Sequence, residues 1–187
     1  MFLACGAGAR RVYSIESGGM IELARQVCRA NGFEARVTFI KGHSTRVDLP
    51  EKVDLVVTDQ MGRFGFEAGV VEYLGDARKR FLKPGGATIP AQVSLWVAPV
   101  EYPAMWDQVE FWNDSPAGFD FTPARSLAAN TGYPIRLAAD QLLGDPATLA
   151  SLDFSAPAPE SFSGEAFVVA KKSGTLEVYR AHVLREA

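Results

Sequence analysis

Asp59 and Glu67 carry the most pointed chemistry in this chain. They flank the glycine-containing loop Gln60-Met61-Gly62-Arg63-Phe64-Gly65-Phe66, and Asp59 directly follows the apolar run Val53-Asp54-Leu55-Val56-Val57-Thr58. An acid at the carboxyl end of a buried strand, with a flexible loop after it, stands where open α/β sheets receive ligands. Two carboxylates there can clamp a guanidinium through paired hydrogen bonds or orient an amine. For Glu67 a second role stays open, because acids near the start of a helix are stabilised by its dipole alone. For Asp59 a functional role is expected.

Other strand ends add candidates. Glu16 closes the run Arg11-Val12-Tyr13-Ser14-Ile15-Glu16. A carboxylate at that place can accept hydrogen bonds from both hydroxyls of a ribose. Lys41-Gly42-His43-Ser44-Thr45 closes the next run. Gly42 would let the backbone approach a flat ring, and Ser44 or Thr45 could hydrogen-bond its edge. His43 stands in a polar turn without accompanying metal ligands, so a solvated imidazole is expected. Cys5-Gly6-Ala7-Gly8-Ala9 has the look of a dinucleotide-binding glycine loop, but such a loop must follow a strand and open a helix. Here only four residues precede it and a strand follows. The better expectation is a helix tail over Met1–Cys5 capped by Gly6 or Gly8.

Elements of alternating type must hold these residues in place. Arg11–Glu16, Val37–Lys41 and Asp54–Thr58 read as strands from their β-branched and aromatic content. Met20–Asn31 reads as a helix with Met20, Leu23, Val27 and Ala30 on one face, stopped by Asn31-Gly32. Val70, Leu74, Ala77 and Phe81 mark a second helix. Leu82-Lys83-Pro84-Gly85-Gly86 ends it and turns the chain into a short strand, Ala87–Ile89. This alternation predicts a parallel sheet covered by helices. Composition shifts at Pro90. Beyond it, prolines interrupt short extended runs such as Val93–Val97 and Ala166–Lys171, with a brief helical turn at Gln141-Leu142-Leu143 and a Pro/Ala-rich link at Phe154–Pro159. We expect two domains, an α/β unit over 1–90 and an antiparallel β region over 91–187. Val178–Ala187 shows no usable periodicity.

Composition limits the function classes. The chain has 187 residues, 48% hydrophobic and 22% charged, with a net charge of -3. That length supports one sizeable core. The weakly acidic balance supplies no footprint for nucleic acid. No apolar run is long enough to cross a bilayer, and no membrane partner is expected. Two cysteines, Cys5 and Cys28, are too few for a disulfide framework or a zinc cluster, so buried thiols, no metal site and a reducing cytoplasm are expected. The tryptophans Trp96, Trp106 and Trp112 are expected in a core or an interface.

Four segments, taken in order and spacing, resemble the class I S-adenosylmethionine-dependent methyltransferases of the protein arginine methyltransferase kind. They are Gly8-Ala9-Arg10-Arg11-Val12-Tyr13-Ser14-Ile15-Glu16, Val37-Thr38-Phe39-Ile40-Lys41-Gly42, Asp54-Leu55-Val56-Val57-Thr58-Asp59-Gln60-Met61-Gly62 and Leu82-Lys83-Pro84-Gly85-Gly86-Ala87-Thr88-Ile89-Pro90. The likeness runs from about Phe2 to Asp120. It implies a Rossmann-like methyltransferase sheet followed by an antiparallel β-barrel, with S-adenosylmethionine as cofactor. It implies that Glu16 binds the ribose, that Ser44 and Thr45 lie near the adenine, and that Asp59 matches the first glutamate of a paired-glutamate loop holding the substrate guanidinium. Methyl transfer from sulfonium to nitrogen needs no covalent enzyme intermediate, so alignment and desolvation carry the acceleration.

Departures from the family pattern shape the expectations. The glycine-rich cofactor loop and its central strand would precede Met1, so a fragment lacking that first strand is expected, or a short protein in which a partner chain supplies it. Asp59 is shorter than glutamate. Glu67 is one residue closer than the second family glutamate, whose matching position is Ala68. His182 is not followed by the Trp of the family's Thr-His-Trp element, and the barrel is expected to be partial. The expected function is methyl transfer to a nitrogen nucleophile, with a protein arginine side chain favoured and a small-molecule acceptor open. The alternative is a non-catalytic binding or dimerisation module. A second copy of the chain is a candidate partner.

Overall fold

The computed structural model describes residues 1–62, 68–156, 163–175 and 177–183, the last of these as backbone. Glu67, and the end of the expected 154–159 link, lie outside the described residues. The chain forms two units. The first comprises Met1–Gln60 and Gly69–Ala91 with 154–156; the second is built on Gln92–Asp153 with 61–62, 68, 163–175 and 177–183.

The first unit alternates as expected: helix α1 Phe2–Gly6, strand β1 Val12–Glu16, helix α2 Met20–Ala30, β2 Val37–Lys41, β3 Val53–Val57, helix α3 Val70–Arg80 and β4 Leu82–Ile89. α1 ends in a two-bond cap. The Gly8 N–H donates to Cys5 O and the Ala9 N–H to Ala4 O, with Gly8 at φ 95° in the left-handed region. Arg36 reinforces that end by donating to Cys5 O and Ala9 O. Cys5 and Cys28 are free, buried thiols in one cluster with Val37, Phe2, Phe33 and Phe39. Burial pushes the Cys28 thiol pKa up, with Glu34 adding to the effect.

α3 buries the expected stripe: Val70, Leu74, Ala77 and Phe81 are each at most 4% exposed. Burial of that kind is worth roughly 1.5–3 kcal/mol per large apolar side chain. α2 forms where expected but buries a different stripe from the one through Met20, Leu23 and Val27. Ile21 and Cys28 are its fully buried residues, whereas Met20, Leu23 and Val27 are exposed. The helix carries two apolar stripes. The one with the short Cys28 packs beside β2, where Val37 and Phe39 leave room for a small side chain.

β1 pairs with β2 in parallel, from Val12 opposite Val37 to Glu16 opposite Lys41. β3 pairs with β4 in parallel. β4 starts earlier than the expected Ala87. Leu82 already lies opposite Val53, and the register then jumps to Leu55 opposite Ala87. Lys83-Pro84-Gly85-Gly86 therefore bulges out of the ladder, with Gly85 at φ 76°. Among the described residues these four strands form two separate two-stranded ribbons.

The second unit is an antiparallel sheet in the order β6-β5-β7, with β5 Gln92–Val100 between β6 Ala147–Asp153 and β7 Glu177–Val183. It also contains two helices that the sequence did not announce, α4 Pro103–Glu110 and α5 Thr122–Ala129. Pro103 and Pro123 sit in the first turns of these helices. A first-turn N–H has no intrahelical acceptor, so proline loses nothing there. Arg125 donates through Nε and Nη2 to Glu110 Oε1 and ties α5 to α4. That pairing, with Asn113 donating to the other oxygen, holds the Glu110 carboxyl below its ordinary pKa. Ala166–Lys171 is not a strand; its end docks through the Lys171 N–H on Leu143 O. The third strand is β7, within the run that lacked usable periodicity. The Gln141 turn is a short helical turn over Ala139–Gln141.

Candidate functional site

The amino ends of the first unit's strands are tied by ion pairs. Arg11 and Tyr13 both donate to Glu51 Oε1, at 2.6 and 2.7 Å, and Lys83 donates to Asp54 at 2.8 Å. The Tyr13 and Arg11 hydrogen bonds hold the Glu51 carboxyl below its ordinary pKa, and Lys83 does the same for Asp54. The candidate residues stand at the opposite, carboxyl ends.

Glu16 is the last residue of β1 and is half-buried. Its Oε1 accepts the Gly18 N–H at 2.5 Å. A side chain at Gly18 would meet that oxygen at 3.0 Å, so the small residue lets the chain fold back over the carboxylate. A carboxylate offers about four acceptor lobes. One backbone donor fixes its orientation and leaves capacity for a vicinal diol.

Gly42 follows Lys41, the ladder partner of Glu16, and its N–H donates to Glu16 O at 3.1 Å. A Cβ at Gly42 would lie 2.6 Å from Val47 Cγ1, so this turn closes only with glycine. Ser44 and Thr45 form a short helical turn ending at Arg46. Thr45 Oγ1 is 2.8 Å from His43 Nδ1, and the His43 ring meets Tyr73 edge-on at 5.2 Å. His43 is thus exposed but engaged on two sides, more structured than a solvated imidazole.

Glu16 and the 42–45 turn therefore form one cluster. Asp59 stands apart from it. It follows β3, is exposed, and accepts a 3.3 Å hydrogen bond from its neighbour Gln60. The Thr58 N–H donates to Ile89 O, extending the β3–β4 ladder by one residue, and Thr58 Oγ1 accepts the Gln60 N–H. Among the described residues no hydrogen bond joins Asp59 to Glu16 or to the 42–45 turn. No group of three or more potential metal-ligating side chains occurs among the described residues.

The sequence did not point to Tyr73 or Arg80. Arg80 donates to Ser44 O at 2.6 Å and to Val47 O at 2.7 Å. The signal available was the Asp76–Arg80 spacing, which places an acid one helical turn before the arginine. It suggested no distant target.

Parallel strands alternating with helices, with an acid and a glycine turn at adjacent strand ends, define an α/β unit of the class in which ligands meet the carboxyl ends of the strands. No family model matches the chain. Individual relatives do. Protein arginine N-methyltransferase 1 of Chlamydomonas reinhardtii is 34% identical over 151 residues, covering 80% of this chain and 44% of that protein. Protein arginine N-methyltransferase 1.1 of Arabidopsis thaliana is 31% identical over 151 residues, covering 80% and 38%. Among solved structures, Arabidopsis thaliana protein arginine methyltransferase 10 superposes with a TM-score of 0.63 at 28% identity, covering 81% of this chain and 49% of that one. The Trypanosoma brucei PRMT1 enzyme-prozyme heterotetrameric complex with AdoHcy gives a TM-score of 0.74 at 24% identity, covering 83% and 49%; at that identity it speaks for the fold alone. In sequence and in fold, the chain is protein arginine methyltransferase-like. It spans less than half the length of these relatives.

Proposed function

We propose that this chain contributes the cofactor cleft of an S-adenosylmethionine-dependent methyltransferase that acts on a nitrogen nucleophile, with a protein arginine side chain as the favoured acceptor. The observation that carries the proposal is the Glu16 cluster. A half-buried carboxylate, oriented by the Gly18 N–H, lies beside the tight Gly42 turn at neighbouring strand ends. Glu16 accepts the ribose hydroxyls, and Gly42, Ser44 and Thr45 receive the adenine. When bound, the cofactor supplies the electrophilic methyl group. Asp59 pairs with the acceptor's cationic side chain and holds its nitrogen in line. Glu67 is its proposed partner. The cofactor named with the Trypanosoma brucei complex, AdoHcy, is the product such a transfer leaves.

The same proposal extends to architecture. Residues 1–90 serve the cofactor, and 91–187 serve the acceptor and dimerisation. A further strand, supplied by a segment outside residues 1–187 or by a partner chain, joins the two ribbons into one sheet. Support comes from β3, where Leu55 and Val57 are 43% and 61% exposed, and from the low intrinsic stability of isolated two-stranded ribbons. The β6-β5-β7 sheet is part of a barrel. A homodimer is supported by the exposed Met20, Leu23 and Val27 on α2 and the exposed Trp106, Phe111, Phe119, Phe121 and Leu127 on and around α4 and α5.

Calorimetry with S-adenosylhomocysteine tests the cofactor assignment. It should use the chain alone and the chain joined to the amino-terminal segment of one of the relatives above. Heat from either supports it, and silence from both sinks it. Transfer of labelled methyl to an arginine-rich peptide tests the acceptor. Label appearing only on small amines would move the acceptor class.

A further inference from the structure

The turn proposed to receive the adenine is held from outside by α3. Arg80, in the last turn of that helix, spreads its guanidinium over two backbone carbonyls of the turn, Ser44 O through Nη2 at 2.6 Å and Val47 O through Nη1 at 2.7 Å. Nη1 also reaches Asp48 Oδ1 at 3.3 Å. Asp76, one helical turn back, aims the guanidinium by accepting from Nε at 2.9 Å and from Nη2 at 2.8 Å. The Phe81 ring lies 4.5 Å beneath it. Side-chain exposure of 30% for Arg80 and 26% for Asp76 removes much of the water that would weaken these bonds. At its other end α3 presents Tyr73 to the His43 ring.

A planar trans peptide points its C=O and N–H in opposite directions. Fixing Ser44 O on Arg80 therefore turns the Thr45 N–H away from α3. An outward N–H suits an acceptor nitrogen such as N1 of adenine and opposes a ring that carries hydrogen there. We propose that Arg80 is a positioning residue for cofactor binding, acting by holding 44–48 in the shape that recognises the base. The inference rests on the assignment of that turn to the adenine. Lysine cannot replace it, because a compact ammonium cannot span two carbonyls while pairing bidentately with Asp76.

The test measures three things in Arg80→Met and Arg80→Lys: amide hydrogen exchange at 43–48 in the ligand-free protein, affinity for S-adenosylhomocysteine, and affinity for S-inosylhomocysteine, which differs only at the base edge. Wild type should prefer the adenine compound. Each variant should exchange faster at 43–48, bind S-adenosylhomocysteine about tenfold more weakly, as expected for a lost charged hydrogen bond, and show a narrowed preference. Unchanged exchange at 43–48, or weaker binding with the preference intact, overturns the inference. Should Arg80→Met not fold, Arg80→Lys and Asp76→Asn carry the same comparison. If wild type takes up neither compound, alone or joined to a relative's amino-terminal segment, the cofactor assignment falls, and the exchange data alone decide whether Arg80 holds the turn.

Discussion

β5 and β3 are both rich in valine and leucine, yet their surroundings differ. β5 has a hydrogen-bonded neighbour on each edge, and Val93, Leu95, Ala98 and Val100 are all at most 3% exposed. β3 has β4 on one edge, and Leu55 and Val57 are largely in solvent. An apolar β-branched run is enough to make a strand. Only a second neighbour and covering layers make it a core. The difference bears on function, because Asp59, the residue proposed to pair with the acceptor, hangs from the strand with the less complete surroundings.

The largest expected effect is on the well-covered strand. Leu95→Ala should lower unfolding free energy by about 2–5 kcal/mol, read from denaturant midpoints. Leu55→Ala in β3 should cost less than about 0.5 kcal/mol, as exposed positions do. Equal losses would break the comparison and mean that β3 is covered in solution. Next comes Asp59→Ala. Methyl transfer should fall at least about a hundredfold, equivalent to about 2.7 kcal/mol of barrier, while stability stays within about 0.5 kcal/mol. Loss of both together would make Asp59 a structural acid. The smallest effect is on acid stability. Glu51 is held below its ordinary value of 4.5 by Tyr13 first and Arg11 second. A depressed carboxylate stabilises the fold above that value and loses its contribution as pH falls through the lower, folded one. Melting measured from about pH 6 down to about pH 3.5 should therefore decline less steeply in Glu51→Gln. An unchanged acid slope would mean the network contributes nothing to pinning the strand starts.

Much of the first unit was legible from local signals. β1, α2, β2, β3 and α3 fall within a residue or so of expectation, and the buried face of α3 is the expected one. The strand-end candidates were found because chemistry in such sheets collects at carboxyl ends. The failures have a common cause. α2 offers two apolar stripes, and packing beside β2 selected the one with Cys28. Beyond residue 90 prolines read locally as interruptions, but Pro103 and Pro123 open helices. β7 forms where pairing with β5 supplies what its own pattern did not announce.

The sequence by itself determined the alternating elements, a glycine cap at Gly6 or Gly8 and the positions of Glu16, Gly42 and Asp59 at strand ends, because these depend on neighbours a few residues away. Tertiary structure alone decided which helix face is buried, which strands gain two partners, and that Arg80 reaches back 36 residues to hold the Ser44 carbonyl. Such contacts depend on which distant backbone groups the folded chain brings within hydrogen-bonding distance, and no local pattern encodes that choice.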